Sequence, residues 1–362
     1  MFLRTLMLGA SLLLMIITSA VPTVSALDSS TQTETEIKSF LHSLFQLRAE
    51  DLANHSVNVH ELRSKQSQHA YNVQSKRKTY LYAWADKRNM IITDCESKLR
   101  FGKIHVYGDD QVRLTVGHSQ KISYAYKNNP ASTNWFGLGT WHVLTLRKNN
   151  NEWSVAKEWF LDPLDENPQK IPPGNPTPAP DRGSHHTTKH YDRKRAVAYA
   201  NKYAGLAWGS GNDGRYNQKY KNYNHLGGDC TNFASQTLGD PSEGGGLAMN
   251  GPWRRGTRTW VQTDAFKNYL VYSGHAKIIA KGNFTELANT SSAHPYSPMA
   301  ELNIGDLIAH VMHNDVDHFS IITGFDQRGY PLVNSHSVDR YRAPFDLGWD
   351  DETDYLFIHV KD

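Results

Sequence analysis

The chain has 362 residues, with 39 Lys and Arg against 36 Asp and Glu, a net charge of +3, and 39% hydrophobic residues. That length suits two ordinary domains rather than one. The near-balanced charge excludes the basic footprint of nucleic-acid binding, and the apolar content excludes wholesale disorder.

Met1 to Ala26 has the pattern of a secretory signal peptide: Arg4 as the positive region, Leu6 to Ile17 as the apolar core, and Val24-Ser25-Ala26 as a small-residue cleavage site. A secreted protein starting near Leu27 is expected, extracellular or cell-wall associated, with no membrane contact after cleavage. No later segment is long and apolar enough to span a bilayer. Cys95 and Cys230 are the only cysteines, so this is not a disulfide scaffold. Cys95 reads as a strand residue without a chemical role.

Residues 27–165 read as an α+β accessory domain. Ile37, Phe40, Leu41, Leu44, Phe45 and Leu47 make the apolar stripe of a helix over Thr33 to Ala53, and a more polar helix is expected over Val57 to Arg77. Alternation then takes over from Lys78, predicting strands at Tyr80–Trp84, Met90–Ile92, Gly102–Tyr107, Gln111–Val116, Ile122–Tyr126, Trp141–Leu146 and Trp153–Ala156. Helices followed by antiparallel strands make an α+β unit. Its ending, with Trp153 and Trp159-Phe160-Leu161-Asp162-Pro163 after an Asn-rich turn, resembles the curved-sheet NTF2-like fold. No acid/base cluster there points to chemistry.

Residues 166–190 read as a linker. Pro168, Pro172, Pro173, Pro176, Pro178 and Pro180 favour an extended spacer, and His185, His186 and His190 read as solvated. The second domain, 191–362, opens with a helix at Tyr191–Tyr203, a Gly/Asn/Tyr loop at Ala207–Asn224, a helix from Cys230, and another over Thr257–Tyr272. A strand entered through Gly305, strands at His318–Phe325 and Tyr330–Ser337, and a last one at Tyr355–Val360 follow.

The chain is organised around Gly227-Gly228-Asp229-Cys230-Thr231-Asn232-Phe233. Cys230, Phe233, Ala234 and Thr237 share a helical face, with Asp229 at the capping position. A thiol at a helix N-terminus is a candidate nucleophile, because the free N–H groups and the dipole stabilise thiolate and oxyanion alike. A lone cysteine is more often a small buried hydrophobe, and Asp229 raises a thiol pKa, so a basic partner is required. His318 opens an apolar strand. A three-residue turn at Gln327-Arg328-Gly329 pairs Asp326 with Tyr330 and puts His318, Ser320 and Ile322 on one face with Leu332, Asn334 and His336. A slip by one residue would move Asn334 and His336 to the other face.

In order and spacing, Gly228-Asp229-Cys230-Thr231-Asn232-Phe233, then Asp317-His318-Phe319-Ser320-Ile321-Ile322-Thr323-Gly324, then Ser335-His336-Ser337 resemble an amidase family of the NlpC/P60-type papain-like cysteine peptidases. The resemblance covers about Tyr191 to Val360. It implies a papain-like domain with a helix-borne Cys on an antiparallel sheet. Cys230 would be the nucleophile, His318 the base and acid, and His336 the orienting residue, with Asn334 as competitor. Thr231-Asn232 replaces the Ser-Gly that often follows the cysteine there. Asp229 and Asn232 are placed beside the oxyanion, and Trp208, Tyr223 and Trp253 are groove candidates. The expected activity is amide hydrolysis through a thioester, with a peptide or peptidoglycan-type amide as substrate and no cofactor.

Two other readings stand beside it. His310, His313, Asp315, Asp317 and His318 crowd one stretch with a zinc-ligand mixture, as in a metallopeptidase. Trp253, Trp260, Tyr216, Tyr220 and Tyr223 could serve a non-catalytic wall- or sugar-binding protein, although burial in the core is the commoner fate of such residues.

Overall fold

The computed structural model describes residues 24–54, 59–162, 164, 167–174 and 190–361, with the side chains of 24–30, 59 and 60 excepted. The segment read as a signal peptide therefore lies outside the described residues, apart from Val24, Ser25 and Ala26 at the start of the first helix.

Three helices precede four strands: α1 (Val24–Ala53), α2 (Val59–Lys65) and α3 (Gln68–Lys87), then β1 (Met90–Tyr107), β2 (Gln111–Tyr126), β3 (Asn129–Asn149) and β4 (Glu152–Trp159). The single helix expected over Val57–Arg77 is broken because Ser67 takes an extended conformation, and its hydroxyl accepts from the Ala70 N–H at 3.2 Å, capping α3. The strand expected at Tyr80–Trp84 is instead the last part of α3. Tyr80, Leu81, Trp84 and Ala85 are its buried positions, a helical spacing that alternation over five residues mimics. The shorter runs after it fuse into long strands. Bulges between Ile92 and Asp94 and between Phe101 and Ile104 keep β1 paired with β2 while the sheet curves.

The second half contributes α4 (Arg193–Lys202), α5 (Cys230–Gly239), α6 (Arg258–Val261), α7 (Thr263–Tyr272), β5 (Ala276–Asn283), α8 (Phe284–Ala288), β6 (Leu307–Met312), β7 (Asp315–Phe325), β8 (Pro331–Ser335), β9 (Asp339–Pro344) and β10 (Asp354–Val360). The helix expected over Thr257–Tyr272 is interrupted at Gln262, whose backbone is extended. β5, α8 and β9 had no counterpart in the sequence reading.

Both halves belong to one antiparallel sheet in the order β1-β2-β3-β9-β8-β7-β6-β10-β5, with β4 also paired to β3. β3 makes the join. Its far end pairs with β4 from Val143 to Asn149, and the same edge pairs with β9 through Gly137, Leu138 and Gly139. The loop before α5 crosses β3 at those glycines, so closely that a Cβ on Gly137 would sit 1.9 Å from the Trp208 carbonyl oxygen.

Three cores result. α1 closes one face of the first sheet through Ile37, Leu41, Leu44 and Phe45 against Val112, Leu114 and Leu144. A second core holds Tyr199, Phe233, Trp253, Trp260 and Phe266 against Phe319 and Ile321. The third is shared, mixing Trp84, Tyr124 and Phe136 with Ile308, Val333, Phe345 and Tyr355. The start of the expected linker belongs to this shared core. Ile171 is buried in it beside Leu164 of the preceding domain, and the Pro172 carbonyl accepts from Arg88 Nη1 at 2.7 Å. The fold is thus α+β with a large antiparallel sheet.

Candidate active site

Gly227 and Gly228, at φ 106° and 125°, turn the chain into α5 through backbone conformations that favour glycine. Asp229 occupies the cap position without capping by its side chain. Its Oδ1 instead accepts from the Tyr223 N–H and the Asn232 amide, each at 2.8 Å, and its Oδ2 from His336 Nδ1 at 2.7 Å. The first turn of α5 is therefore left without a side-chain cap, as an oxyanion site requires.

Both cysteines are free thiols. Cys95 is a strand residue whose sulfur accepts from the Gln120 amide at 3.1 Å, and burial pushes its thiol up to about 12. Cys230 is 8% exposed, at the start of a helix laid on β7. Burial raises its thiol pKa and Asp229 adds to this, while the Phe319 N–H and the hydroxyl and N–H of Thr231, whose hydroxyl oxygen lies 3.8 Å from the sulfur, work in the opposite sense.

The His318 ring itself lies on the other side of the sheet. The turn forms as the sequence indicates: the Asp326 N–H donates to the Tyr330 carbonyl at 3.0 Å, and Gly329 is left-handed at φ 77°. A bulge at Thr323 then shifts the pairing by one, so Ile322 faces Val333 and Ile321 faces Asn334. His318, Ser320, Val333 and Ser335 consequently share one face and line a cavity of about 320 Å³ with Asp162, Arg340 and Trp349. Within it His318 meets His310 edge to face at 5.3 Å and Trp349 at 5.6 Å. Burial, with the neighbouring His310, Arg340 and His336, holds its pKa well below the usual imidazole value, which keeps the ring neutral. Among the described residues no hydrogen bond joins its ring to the sulfur of Cys230.

His336 lies on the α5 side, not beside His318 as the sequence reading had it. Its ring stacks on Phe233 at 3.7 Å and meets Tyr216 at 4.5 Å. Nδ1 faces Asp229 Oδ2 at 2.7 Å and Nε2 faces the Tyr203 carbonyl at 2.6 Å. Both partners are acceptors, so both nitrogens donate and the ring is an imidazolium. Burial alone would lower its pKa, and the hydrogen bond and charge of Asp229 raise it overall. The lone pair that a base needs is absent. His336 thus fixes Asp229, and with it the start of α5, rather than orienting His318. Ser337, left-handed at φ 77°, adds a second tie, its hydroxyl accepting from the Asp229 N–H at 2.7 Å.

The remaining candidates are mostly structural. Asn334, also on the α5 side, donates to the Ala200 carbonyl and to Asn201, and accepts from the Thr323 hydroxyl and the Arg342 N–H. Asn232 is buried and saturated, donating to the Lys221 carbonyl and Asp229 and accepting from the Trp260 indole, so its amide cannot serve an oxyanion. Trp253 is fully buried, its indole donating to Ser235, and Trp260 is buried with it. Neither can line a groove. Trp208 sits against the first half, with Lys98 over its ring at 3.8 Å. Tyr223 is half-buried beside Asp229, to which its N–H donates.

The metal-type cluster does not converge. His310 Nε2 donates to the Phe345 carbonyl inside the core, Asp317 accepts from the Met312 N–H, and Asp315 is exposed. Among the described residues there is no group of three or more His, Cys, Asp or Glu placed to hold an ion. Phe319, Tyr203 and Ser337 were missed as site residues because their contributions are backbone groups or a turn hydroxyl, which leave no spacing to read.

A family described as "Putative amidase domain" matches residues 190–359, which include α5, β7 and β8. The match supports an amidase-like second half and points to hydrolysis of amides in general. A Bacillus subtilis (strain 168) protein, "Uncharacterized protein YjcM", is 27% identical over 168 residues, covering 44% of this chain and 34% of the relative. The chain thus spans about a third of that relative's length. Among solved structures, the intermembrane space region of the chloroplast protein ARC6 aligns with 34% of this chain and 93% of its own at 10% identity and a TM-score of 0.27, a likeness that carries no argument.

Proposed function

We propose that the protein is an exported cysteine amidase or peptidase acting on peptide amides of the cell wall. The observation that carries this reading is the sulfur at the uncapped start of α5, on a helix laid on β7, inside the segment similar to an amidase domain. Of the two candidate histidines, only His318, on the far face of the sheet, keeps a neutral ring with a lone pair free for a proton.

In this mechanism the start of β7 turns on substrate binding, so that the His318 ring leaves its cavity on the far face of the sheet and takes the thiol proton. The thiolate forms a C–S bond to the amide carbon, and first-turn N–H groups of α5 hold the oxyanion. The C–N bond then breaks as His318 returns the proton to the amine. Water, deprotonated by the same ring, cleaves the thioester and restores the thiol. The N-terminal signal pattern and the peptide chemistry support a wall substrate.

The test is incubation of wild-type and Cys230→Ala protein with purified wall fragments, reading new amines by mass spectrometry. Release by wild type alone is expected; identical products from both would overturn the cysteine mechanism. Loss of activity in chelator with full activity in Cys230→Ala would establish the zinc reading instead.

A further inference from the structure

A groove of about 440 Å³ runs between the two halves, and its inner wall adjoins the proposed nucleophile through Ser337, whose hydroxyl holds the Asp229 N–H. On one side it is walled by Trp141, Trp159 and Leu161 of the first half, on the other by Asn222, Asn224 and His225 from the loop before α5. The apolar wall is unusually open: Trp141 is 45% exposed, Trp159 66% and Leu161 63%. Large apolar side chains gathered at one exposed place mark a binding surface rather than a core. The sheet sets their placement. Val143 pairs with Trp159, and Trp141 stands two residues along β3, so the two indoles are diagonal neighbours on one face, roughly 7–8 Å apart at the backbone.

The opposite wall is neutral and polar. No lysine or arginine lines the groove among the described residues, and its one carboxylate, Asp339, is already taken by the Tyr216 hydroxyl and the Leu206 N–H. Such a groove does not select an anionic or cationic polymer. It suits a ligand with a flat C–H face for indole and a rim of hydroxyl and amide groups for asparagine and histidine, which is the chemistry of a neutral oligosaccharide.

We propose that this groove binds the glycan strand to which the scissile peptide is attached, an oligomer of N-acetylhexosamines, with Trp141 and Trp159 as its stacking platform. This rests on the amidase reading and assigns the first half a role as the substrate-holding wall. The glycan lies across β3 and β4, and the peptide that branches from it enters past Ser337 toward Cys230.

The experiment uses the full chain carrying Cys230→Ala, titrated with a linear tetramer of N-acetylglucosamine and followed by calorimetry and tryptophan fluorescence. Saturable binding is expected, weakened at least tenfold by Trp159→Ala and by Trp141→Ala and largely kept by Trp159→Phe, with melting temperatures unchanged. No binding at millimolar tetramer, or binding indifferent to both indoles, overturns the proposal. So does tight, Trp159-dependent binding of a sugar-free wall peptide, which would make the groove a peptide site. The two readings fail separately: sugar binding without hydrolysis by wild type removes the amidase mechanism alone, and hydrolysis without sugar binding removes the groove alone.

Discussion

At the scale of single residues, the site depends on a division of labour between two histidines that look interchangeable in sequence. His336 is protonated because both of its nitrogens meet acceptors, and His318 is neutral because it sits in a buried cavity beside other cationic or cationisable groups. Asp229→Asn removes the counter-charge of a buried ion pair. It is expected to cost about 2–4 kcal/mol in denaturant unfolding and to lower the His336 pKa by NMR titration, whereas an unchanged pKa would contradict the pairing. The pH dependence of stability follows from the same shifts. His118, His142, His310 and His318 all have folded pKa values depressed by burial, so they take up protons on unfolding, and stability falls as pH drops below their unfolded value. For His310, pushed down to about 4, this amounts to roughly 1.6 kcal/mol between pH 6.5 and 5. The raised pKa of His336 acts the other way, its contribution being complete below the unfolded value and lost as pH rises through the folded one. Melting temperatures across pH 5 to 8 should therefore drop on the acid side; a flat profile would contradict the neutral buried histidines.

At the scale of elements, one bulge decides which histidine faces the nucleophile helix. The turn at Gln327-Arg328-Gly329 and its register were legible, because glycine in the left-handed position leaves few alternatives. The bulge at Thr323 was not, since nothing in Ile321-Ile322-Thr323-Gly324 distinguishes a bulged strand from a regular one. That single residue sends Asn334 and His336 to the face of α5. Helix α5 and the position of Cys230 were read correctly from the glycines and the helical face. Tyr80–Trp84 was misread because a short run of aromatics alternates and repeats helically at once, and β9 was missed because one of its two partner strands, β3, lies in the other half. Asn334 now reads as a staple between α4, β7 and β9. Asn334→Ala is expected to destabilise the protein by about 2–3 kcal/mol through unsatisfied buried partners. The pH profile of hydrolysis should not move; a shifted profile would return Asn334 to an orienting role.

At the scale of the whole molecule, the two halves that composition separates are one structure. β3 carries β4 and β9 on a single edge, and Arg88 of the first half is buried against Asp346 of the second at 2.7 Å, with Tyr330 alongside. Arg88→Met leaves that carboxylate unpaired and is expected to cost about 3–5 kcal/mol. Circular dichroism and tryptophan fluorescence should report one coincident transition before and after the change; two separated transitions would show halves that fold independently. The candidate site itself depends on long-range packing within the second half, where α5 meets β7. The most direct measurement is alkylation of the native protein by iodoacetamide, quantified peptide by peptide, with Cys95 as the internal control of a buried thiol held near 12. The account predicts that Cys230 is modified at pH 7 to 8 while Cys95 is spared. Equal inertness of both cysteines in the folded protein would contradict it.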